Sequence, residues 1–485
     1  MRPSKLSEHE FKKGKFIPPF NKLFPSTMKY DSWCYGRLPE YLWIALILYR
    51  YGRKEGLEKC YCIIKKLHEL NSNISLPTFS AILSMDSDKQ NEFFDIIIEH
   101  TETSTLAPLT IIFTYSEYPV FSEKFEGHNL SISYRHEAIE LIYAKAGDQH
   151  SNLATDIRFV VVYFSLLSGK LKVQKHIGEF ILKYPRLEYP NEELDMIGSI
   201  VRSSELPFML FENRDISYAE NFWERFSRMS DCELYALKFD QEKGDTSEYI
   251  SSLKNVFEYF TRLFKSTNPL DVKMLVLLGI ATYSYKRLLE LVNHNLFNTV
   301  TGRTITRVII ENYIMMKYLI KNEADHENIW IEYQYYGIGL YKLVLTRVRE
   351  TEMELKKSHV DSKYIEYLVN EYTNEEFINM DTSYFDNQRI RDKAIAVNEK
   401  ELWGLYYDYD SSFEHGLWGA IRESTLLKCQ TAGHQFHCVP DYENEQILKS
   451  VWHDSANIMK KIVFLLDEIY GLPDFLIDEV KKFEG

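Results

Sequence analysis

The sequence predicts an all-α protein built from two helical units. Apolar residues recur at helical spacing over most of the chain, whereas the alternating pattern of strands is rare. Short turns rich in Pro, Gly, Asn and Asp separate the periodic stretches. At 485 residues the chain exceeds the size at which one hydrophobic core keeps growing, so we expect at least two packed units. Hydrophobic residues make up 45% of the chain, which is enough apolar material for both cores.

The domain organisation follows from the places where this periodicity weakens. Segment 184–215 holds three prolines and little sustained period, and a new helical series begins near residue 245. Domain boundaries fall in segments of this kind. We therefore predict three regions, namely an irregular helical N-terminal domain at 1–190, a connecting region at 191–240 and a C-terminal helical bundle at 241–485.

The clearest local prediction within the N-terminal domain is a helical hairpin. Residues 41–52 and 56–70 both carry apolar side chains at helical spacing. Gly52 and Gly56 lie between or at the ends of these stretches, where a residue without a Cβ allows the chain to turn. We expect the two helices to be broken between these glycines.

The net charge and the cysteine content limit the possible cellular compartment and the possible binding partners. A formal net charge of −14 repels polyanions, so any contact with nucleic acid must be local. The six cysteines lack the dense spacing of a secreted disulfide framework, which fits a reducing cytosol. The N-terminal sequence lacks an apolar signal region, and the longest apolar run, residues 274–283, is too short to cross a bilayer. We expect a cytoplasmic protein with no membrane partner.

Three charged residues lie four positions apart in segment 302–322. On a helix, Arg303, Arg307 and Glu311 would stack along one stripe. Their neighbours are mostly apolar, so part of the stripe should face the core, where an arginine requires a partner such as Glu311. The stripe has two interpretations. It is an ion pair that locks neighbouring helices, or it places two guanidiniums to neutralise the charge of a phosphate.

A second cluster lies far downstream, in segment 406–424. Ser411, followed three residues later by Glu414, predicts a capping box that starts a helix with His415 in its first turn. The helix dipole disfavours a cationic imidazole there, so a neutral His415 would serve as a general base. Free backbone amides at the helix start would attract a phosphate near Ser411 and Ser412. The alternative is a simple helix cap beside an ordinary packed histidine.

These motifs resemble those of a known kind of protein. Arg307-x3-Glu311, Tyr407 and Ser411-x3-His415 together look like an uncharacterised bacterial family annotated only as a domain of unknown function. That family is distantly similar to HEPN domains, the helical bundles of prokaryotic toxin and antiphage proteins. The resemblance covers residues 250–470. It implies an α-helical bundle, frequently dimeric, and in active HEPN members a metal-independent ribonuclease that uses Arg and His.

The leading functional hypothesis from this resemblance is an RNA-cleaving protein of antiphage defence or toxicity. His415 would activate a ribose 2′-hydroxyl or protonate the leaving oxygen, while Arg303 and Arg307 would hold the scissile phosphate. The residues that would orient these groups and the nucleotide are Glu311, Tyr407 and Ser411. The alternative is a non-catalytic helical scaffold or sensor that acts by oligomerisation or by binding a partner protein.

The usual HEPN motif is not reproduced around His415. That motif places a histidine a few residues after an arginine on one helix, and here only Arg287 and His294 approach this arrangement. An inactive bundle used for assembly is therefore a competing interpretation.

A further group of residues has the chemistry of metal ligands. Cys429, His434, His437 and Cys438 lie close together and would supply zinc ligands from a loop. Their spacing matches no standard pair of chelating motifs, so metal binding stays open and we predict no metal site. The sequence also lacks a Gly-rich phosphate loop, a dinucleotide fingerprint and a nucleophile elbow, so we predict no cofactor.

Overall fold

Helices dominate the structure, as the apolar periodicity predicts. In the computed structural model, helices account for 69% of the described residues and strands for 4%, which confirms the all-α prediction. None of the described helices combines the length and the apolarity that a bilayer crossing requires. The structure describes residues 4–19, 32–126, 130–205, 216–239, 246–266, 271–351, 357–371, 373–434, 437–445 and 447–483.

The chain divides into two compact units. The N-terminal unit consists of Met1–Tyr235 and Cys429–His437, and the C-terminal unit consists of Ala236–Lys428 and Cys438–Gly485. The chain therefore passes between the units three times, because it enters the C-terminal unit, returns briefly to the N-terminal unit and then completes the C-terminal unit.

The N-terminal unit is a set of nine described helices with small strands. Its helices are α1 (Leu42–Leu70), α2 (Phe79–Leu83), α3 (Ser87–His100), α4 (Pro119–Phe125), α5 (Ile132–Ala146), α6 (Asn152–Leu167), α7 (Lys175–Lys183), α8 (Glu192–Glu205) and α9 (Ser217–Ser227). Its strands are β1 (Glu10–Lys12), which pairs antiparallel with β2 (Lys15–Ile17), and β3 (Leu234–Tyr235). A π turn at Trp33–Arg37 leads towards α1.

The C-terminal unit contains the longer helices of the second half. Its helices are α10 (Thr246–Ser266), α11 (Val272–Asn293), α12 (Val300–Asn322), α13 (Ile329–Glu350), α14 (Ser362–Val369), α15 (Ile390–Ala396), α16 (Lys400–Leu402), α17 (Asp408–Glu414), α18 (Trp418–Ser424), α19 (Trp452–Tyr470) and α20 (Asp474–Lys481). A π turn at Trp403–Tyr407 joins α16 to α17. Strands β4 (Leu426–Cys429) and β5 (Cys438–Pro440) form an antiparallel hairpin.

This division differs from the predicted regions in two places. The predicted connecting region 191–240 contains α8 and α9, whose apolar residues, such as Ile197 and Phe222, belong to the core of the N-terminal unit. Residues 429–437 also belong to that unit, although they lie inside the predicted bundle 241–485. The physical reason for the first difference is that prolines end helices without ending the core on which the next helix packs.

The predicted helical hairpin is present within α1. Gly52 adopts φ +72° and ψ 173°, a backbone conformation that residues with a Cβ rarely adopt, and the helix is interrupted there. Beyond the turn the two halves approach closely, because a Cβ added to Gly56 would lie 2.9 Å from the Cα of Leu48. The two glycines therefore have separate roles, one in turning the chain and one in close packing.

A buried ion cluster ties α6 and α8 to the start of the N-terminal unit. Glu205, at the end of α8, pairs with Arg37 and lies 3.6 Å from Arg158 of α6. The Arg158 guanidinium also stacks 4.2 Å from the ring centroid of Trp33. All three charged side chains are buried, and losing Glu205 would leave two guanidiniums without this counter-charge in an apolar interior.

Helix α12 is the central helix of the C-terminal core. Its apolar residues, such as Ile309, Ile314 and Met316, are fully buried among neighbouring helices that include α11, α15, α17 and α19. A buried hydroxyl pair, Thr306 and Ser455 with oxygens 2.8 Å apart, links α12 to α19. This position gives the polar residues of α12 a fixed orientation towards α17.

The backbone at Gly52 gives a test of the hairpin turn. We expect Gly52→Ala to lower the free energy of unfolding by about 1–3 kcal/mol, because alanine must adopt a conformation that is strained for any residue with a Cβ. Thermal denaturation followed by circular dichroism measures the effect. The matched control is Gly279→Ala in α11, where a Cβ would meet no atom within 4 Å. There we expect stabilisation of about 0.5–1 kcal/mol, since alanine is the better helix former. Equal effects at both positions would contradict the proposed turn.

Candidate functional site

The charged stripe of α12 faces α17 in the C-terminal unit. Arg307 donates hydrogen bonds from Nε to Ser411 Oγ at 3.0 Å and from Nη2 to the Tyr407 hydroxyl at 2.6 Å. Its guanidinium also lies 4.6 Å from the centroid of the Tyr407 ring. Ser411 in turn donates to the backbone carbonyl of Tyr407 at 2.6 Å. Arg307 therefore bridges two residues that lie one helical turn apart.

Glu311 completes this network on the side away from Ser411. Its carboxylate accepts a hydrogen bond from the Tyr407 hydroxyl at 3.3 Å and another from the Tyr384 hydroxyl. One of its oxygens lies 3.8 Å from Nη2 of Arg307. Burial, reinforced by the Glu311 carboxylate, raises the pKa of Tyr407 to about 12, so its hydroxyl keeps its proton near neutral pH.

Arg303 lies one turn earlier on α12 in a more enclosed place. Only 6% of it is exposed, and its Nη2 donates to the backbone carbonyl of Lys449 at 2.7 Å. The guanidinium lies 5.4 Å from the ring centroid of Tyr409 and 5.6 Å from that of Phe413. With its charge covered by two rings, Arg303 has little access to a phosphate.

The carboxylate nearest to Arg303 is Asp410 of α17. The two side chains approach to 3.9 Å, and only 3% of Asp410 is exposed. The pKa of Asp410 is raised to about 7. Burial is the main cause and the nearby Asp454 adds to it, while the Arg303 charge opposes the increase. Asp410 therefore changes its protonation state near neutral pH.

His415 does not lie at a helix start. Helix α17 ends at Glu414, and His415 is its C-cap, with an exposed side chain. The predicted capping box at Ser411 and Glu414 is wrong because the chain is already helical from Asp408. Ser411 bonds to the carbonyl of the preceding turn instead of to a free amide. His415 therefore lies at the C-terminal end of the dipole of α17 and not at its N-terminal end.

The alternative pair, Arg287 and His294, lies at the end of α11. Arg287 pairs with Glu290 at 2.8 Å, and His294 is the exposed C-cap of the helix. Arg287 thus has a partner one turn away on its own helix.

The structure brings most of the predicted residues together and adds two. Arg307, Glu311, Tyr407 and Ser411 form one hydrogen-bonded network, and Arg303 lies beside it on the same helix. Two partners were not identified from the sequence, namely Tyr384 and Asp410. Asp410 had a signal, since it directly precedes Ser411 and a buried arginine requires an acid. Tyr384 had none, because no helical pattern relates it to α12.

The cysteines and histidines of the hairpin loop also have a defined arrangement, in the N-terminal unit. Cys429, His434 and His437 place ligand atoms together with those of Cys232, all within 4.8 Å of one another. Cys438, the fourth residue considered from the sequence, is instead the first residue of β5 and is not in this group.

Comparison with known families gives one match. The model of a family described as "Family of unknown function (DUF5677)" matches residues 274–434, which include α12, α17 and every residue of the Arg307 network. No match was found among curated proteins or among solved structures. The matched segment supports an uncharacterised domain in this part of the chain.

The raised pKa of Asp410 predicts a pH dependence of stability. A carboxyl whose pKa is higher in the folded state than in the unfolded state stabilises the fold below about pH 4. This stabilisation is lost as the pH rises towards about 7, the pKa of Asp410 in the folded chain. Asp410→Asn removes this titration. The unsubstituted chain should therefore lose stability between these pH values, while Asp410→Asn should not lose this contribution. We expect the stability of Asp410→Asn relative to the unsubstituted chain to rise by up to about 4 kcal/mol over this range. Urea denaturation at a series of pH values measures this difference, and a flat difference would contradict the assignment.

Proposed function

We propose that the C-terminal unit is a non-catalytic helical scaffold that assembles with a second copy of the chain. The assembly surface is the apolar face of residues 405–421, which we call the α17–α18 face. One observation carries the proposal. The guanidiniums of Arg303 and Arg307 are bound within the chain, while large apolar side chains of the segment that contacts them are exposed.

The apolar side chains of the α17–α18 face are unusually accessible for their size. Leu405 is 68% exposed, Leu417 is 55% exposed and Trp418 is 69% exposed. Tyr406, Tyr409 and Ile421 add partly exposed surface in the same segment. Clustered exposed apolar residues are typical of protein interaction sites, and tryptophan is enriched among the residues that dominate interface energies.

The network beneath this face supports a structural role for the predicted residues. Arg307 binds Ser411 and Tyr407, and Tyr407 binds Glu311, so the register of α17 on α12 is held by charge-assisted hydrogen bonds. A partner that packs on the α17–α18 face would therefore meet a rigid surface. The choice of a second copy follows the dimeric bundles that the motifs of this segment resemble.

The second candidate is the HEPN-like, metal-independent endoribonuclease of the leading sequence hypothesis. One observation favours it, which is that His415 is exposed and lies one helical turn after Ser411, on the same side of α17. In that mechanism His415 would transfer the proton at the ribose or at the leaving oxygen, and Arg307 would face the phosphate. Binding would require Arg307 to exchange its bonds to Ser411 and Tyr407 for bonds to the phosphate.

The assembly proposal predicts a change of mass on substitution of Trp418. We expect the unsubstituted protein to have twice the 57.4 kDa mass of one chain, and Trp418→Glu to have the mass of one chain. A carboxylate at the centre of an apolar contact would lose its hydration without gaining a partner. Size-exclusion chromatography with light scattering, at several protein concentrations, measures both masses.

The control for this experiment is Tyr442→Glu. Tyr442 is an exposed aromatic residue of the same unit that lies outside the α17–α18 face, so its substitution should leave the mass unchanged. Both variants should remain folded, because neither side chain is buried within its own chain. Trp418→Glu should lose only the stabilisation that the subunit contact provides. A parent protein that remains a single chain at every concentration would refute the assembly proposal.

The two candidate functions make opposite predictions for RNA. We expect purified protein to leave total RNA intact in the presence of EDTA. The ribonuclease candidate predicts fragments that end in a cyclic phosphate, detected by gel electrophoresis and end-group analysis. In that case His415→Ala should abolish cleavage, while His294→Ala, at the exposed histidine of α11, should not. Fragments that depend on His415 would overturn the scaffold proposal.

A further inference from the structure

Two cysteines and two histidines of the N-terminal unit surround one point in space. The sulfur atoms of Cys232 and Cys429 lie 3.6 Å apart. Cys232 Sγ lies 3.2 Å from Nδ1 of His437, and Cys429 Sγ lies 3.5 Å from Nδ1 of His434. From these distances we propose that Cys232, Cys429, His434 and His437 form a structural zinc site.

The distances agree with the edges of a tetrahedron around zinc. With Zn–S bonds of about 2.3 Å and Zn–N bonds of about 2.0–2.1 Å, tetrahedral angles place two sulfurs about 3.8 Å apart and a sulfur and a nitrogen about 3.5 Å apart. The observed sulfur–sulfur and sulfur–nitrogen distances differ from these values by only a few tenths of an ångström. The four ligand atoms all lie within 4.8 Å of one another, so one ion would reach all four after a modest movement of the side chains.

A disulfide does not account for the same arrangement. Bonded sulfurs lie about 2.05 Å apart, whereas those of Cys232 and Cys429 are separated by 3.6 Å. Both residues are free cysteines in the structure. Zinc binds both sulfurs as thiolates, so metal binding would release any proton that they carry, and the ion would neutralise their negative charge.

The hydrogen bond on the far side of His434 prepares this residue for a metal. Its Nε2 lies 3.0 Å from the backbone carbonyl of Ser227, so this nitrogen is protonated and donates a hydrogen bond to the carbonyl. The lone pair of Nδ1 then points to the sulfurs. Metal-binding histidines are commonly oriented in this way, with the second ring nitrogen bonded to a carbonyl or a carboxylate.

The loop that carries three of the four ligands is fixed against the segment that carries Cys232. The backbone amide of Gln430 donates to the carbonyl of Glu233 at 3.0 Å, and the amide of Glu233 donates to Thr431 Oγ1 at 3.0 Å. Thr431 Oγ1 donates to the carbonyl of Asp231 at 2.7 Å. These bonds set the separation of Cys232 and Cys429 without any contribution from a metal.

Close packing at Gly433 also fixes the position of the loop. A Cβ added to Gly433 would lie 2.2 Å from Ser230 Oγ and 3.4 Å from a ring carbon of Phe226. Only glycine fits there, and it lets the backbone between Cys429 and His434 approach the end of α9. The loop is thus built to present its ligands to Cys232.

The ligand set selects the metal and its role. Two thiolates and two imidazoles in tetrahedral arrangement are typical of Zn²⁺, whereas Ca²⁺ and Mg²⁺ require oxygen ligands. Four protein ligands leave no position open for water or substrate, which is typical of a structural site. The ion would join the chain just before Ala236, where the C-terminal unit begins, to the segment that follows Lys428.

Metal content tests the site directly. Full-length protein, purified under reducing conditions without a histidine tag, should contain about one zinc ion per chain. Inductively coupled plasma mass spectrometry measures this zinc content. Cys232→Ser and Cys429→Ser should each lose most of this zinc. Cys438→Ser is the matched control, because this thiol directly follows His437 but lies outside the cluster, and it should retain the metal.

Cobalt gives a second measurement that does not depend on a variant being folded. Zinc-depleted protein titrated with Co²⁺ should develop the thiolate-to-metal charge-transfer bands and the intense visible bands of a tetrahedral site. Removal of zinc should also lower the melting temperature, and added zinc should restore it. The proposal is overturned if the parent protein binds neither ion, if Cys438→Ser loses the metal while Cys232→Ser keeps it, or if thiol alkylation of the parent protein as purified shows that a disulfide joins Cys232 to Cys429.

Discussion

The burial of positive charge on α12 constrains the C-terminal unit more than any other single feature. Removing a guanidinium from water costs several kcal/mol unless it is paired and hydrogen-bonded, and α12 brings two of them against the core. Helix α17 meets this requirement in one register. Ser411 and Tyr407 face Arg307, while Asp410 and Phe413 lie against Arg303. A slip of α17 by one turn would separate Arg307 from Ser411 and Arg303 from Asp410.

The same constraint bears on chemistry. A guanidinium that holds helices together is bound to its own chain, and a phosphate ligand would have to replace those bonds before gaining any affinity. Arg303 is covered by two rings and bonded to a backbone carbonyl, so it would exchange its contacts for a phosphate less readily than Arg307. The neighbouring segment 405–421 exposes several large apolar side chains, among them Leu405 and Trp418. The balance of charge and exposure therefore favours recognition of another protein over recognition of a polyanion, in agreement with the net charge of −14.

Local patterns in the sequence identified the elements and the stripe but not all of the partners. The stripe Arg303, Arg307 and Glu311 follows from helical periodicity, as does the break at Gly52. The helix start at Ser411 was wrong because a capping motif also occurs inside a helix, where its hydroxyl bonds to the preceding turn. Tyr384 reaches Glu311 across 73 positions, a pairing that depends on the fold and leaves no periodic signal.

The cluster around Cys232 also joins residues that are distant in the sequence. Its position in the chain explains why a metal would stabilise the loop there. Cys232 and Cys429 are 197 positions apart, so the spacing of residues 429–438 alone pointed to Cys438 instead. The chain leaves the N-terminal unit after Tyr235 and returns to it only for Cys429–His437. Among the described residues of that return segment, only the small side chain of Ala432 packs against the apolar core. So short a loop gains little from apolar burial, while closing a long intervening chain costs entropy. Coordination by four side chains supplies a strong and local attachment of the kind that apolar burial does not provide here.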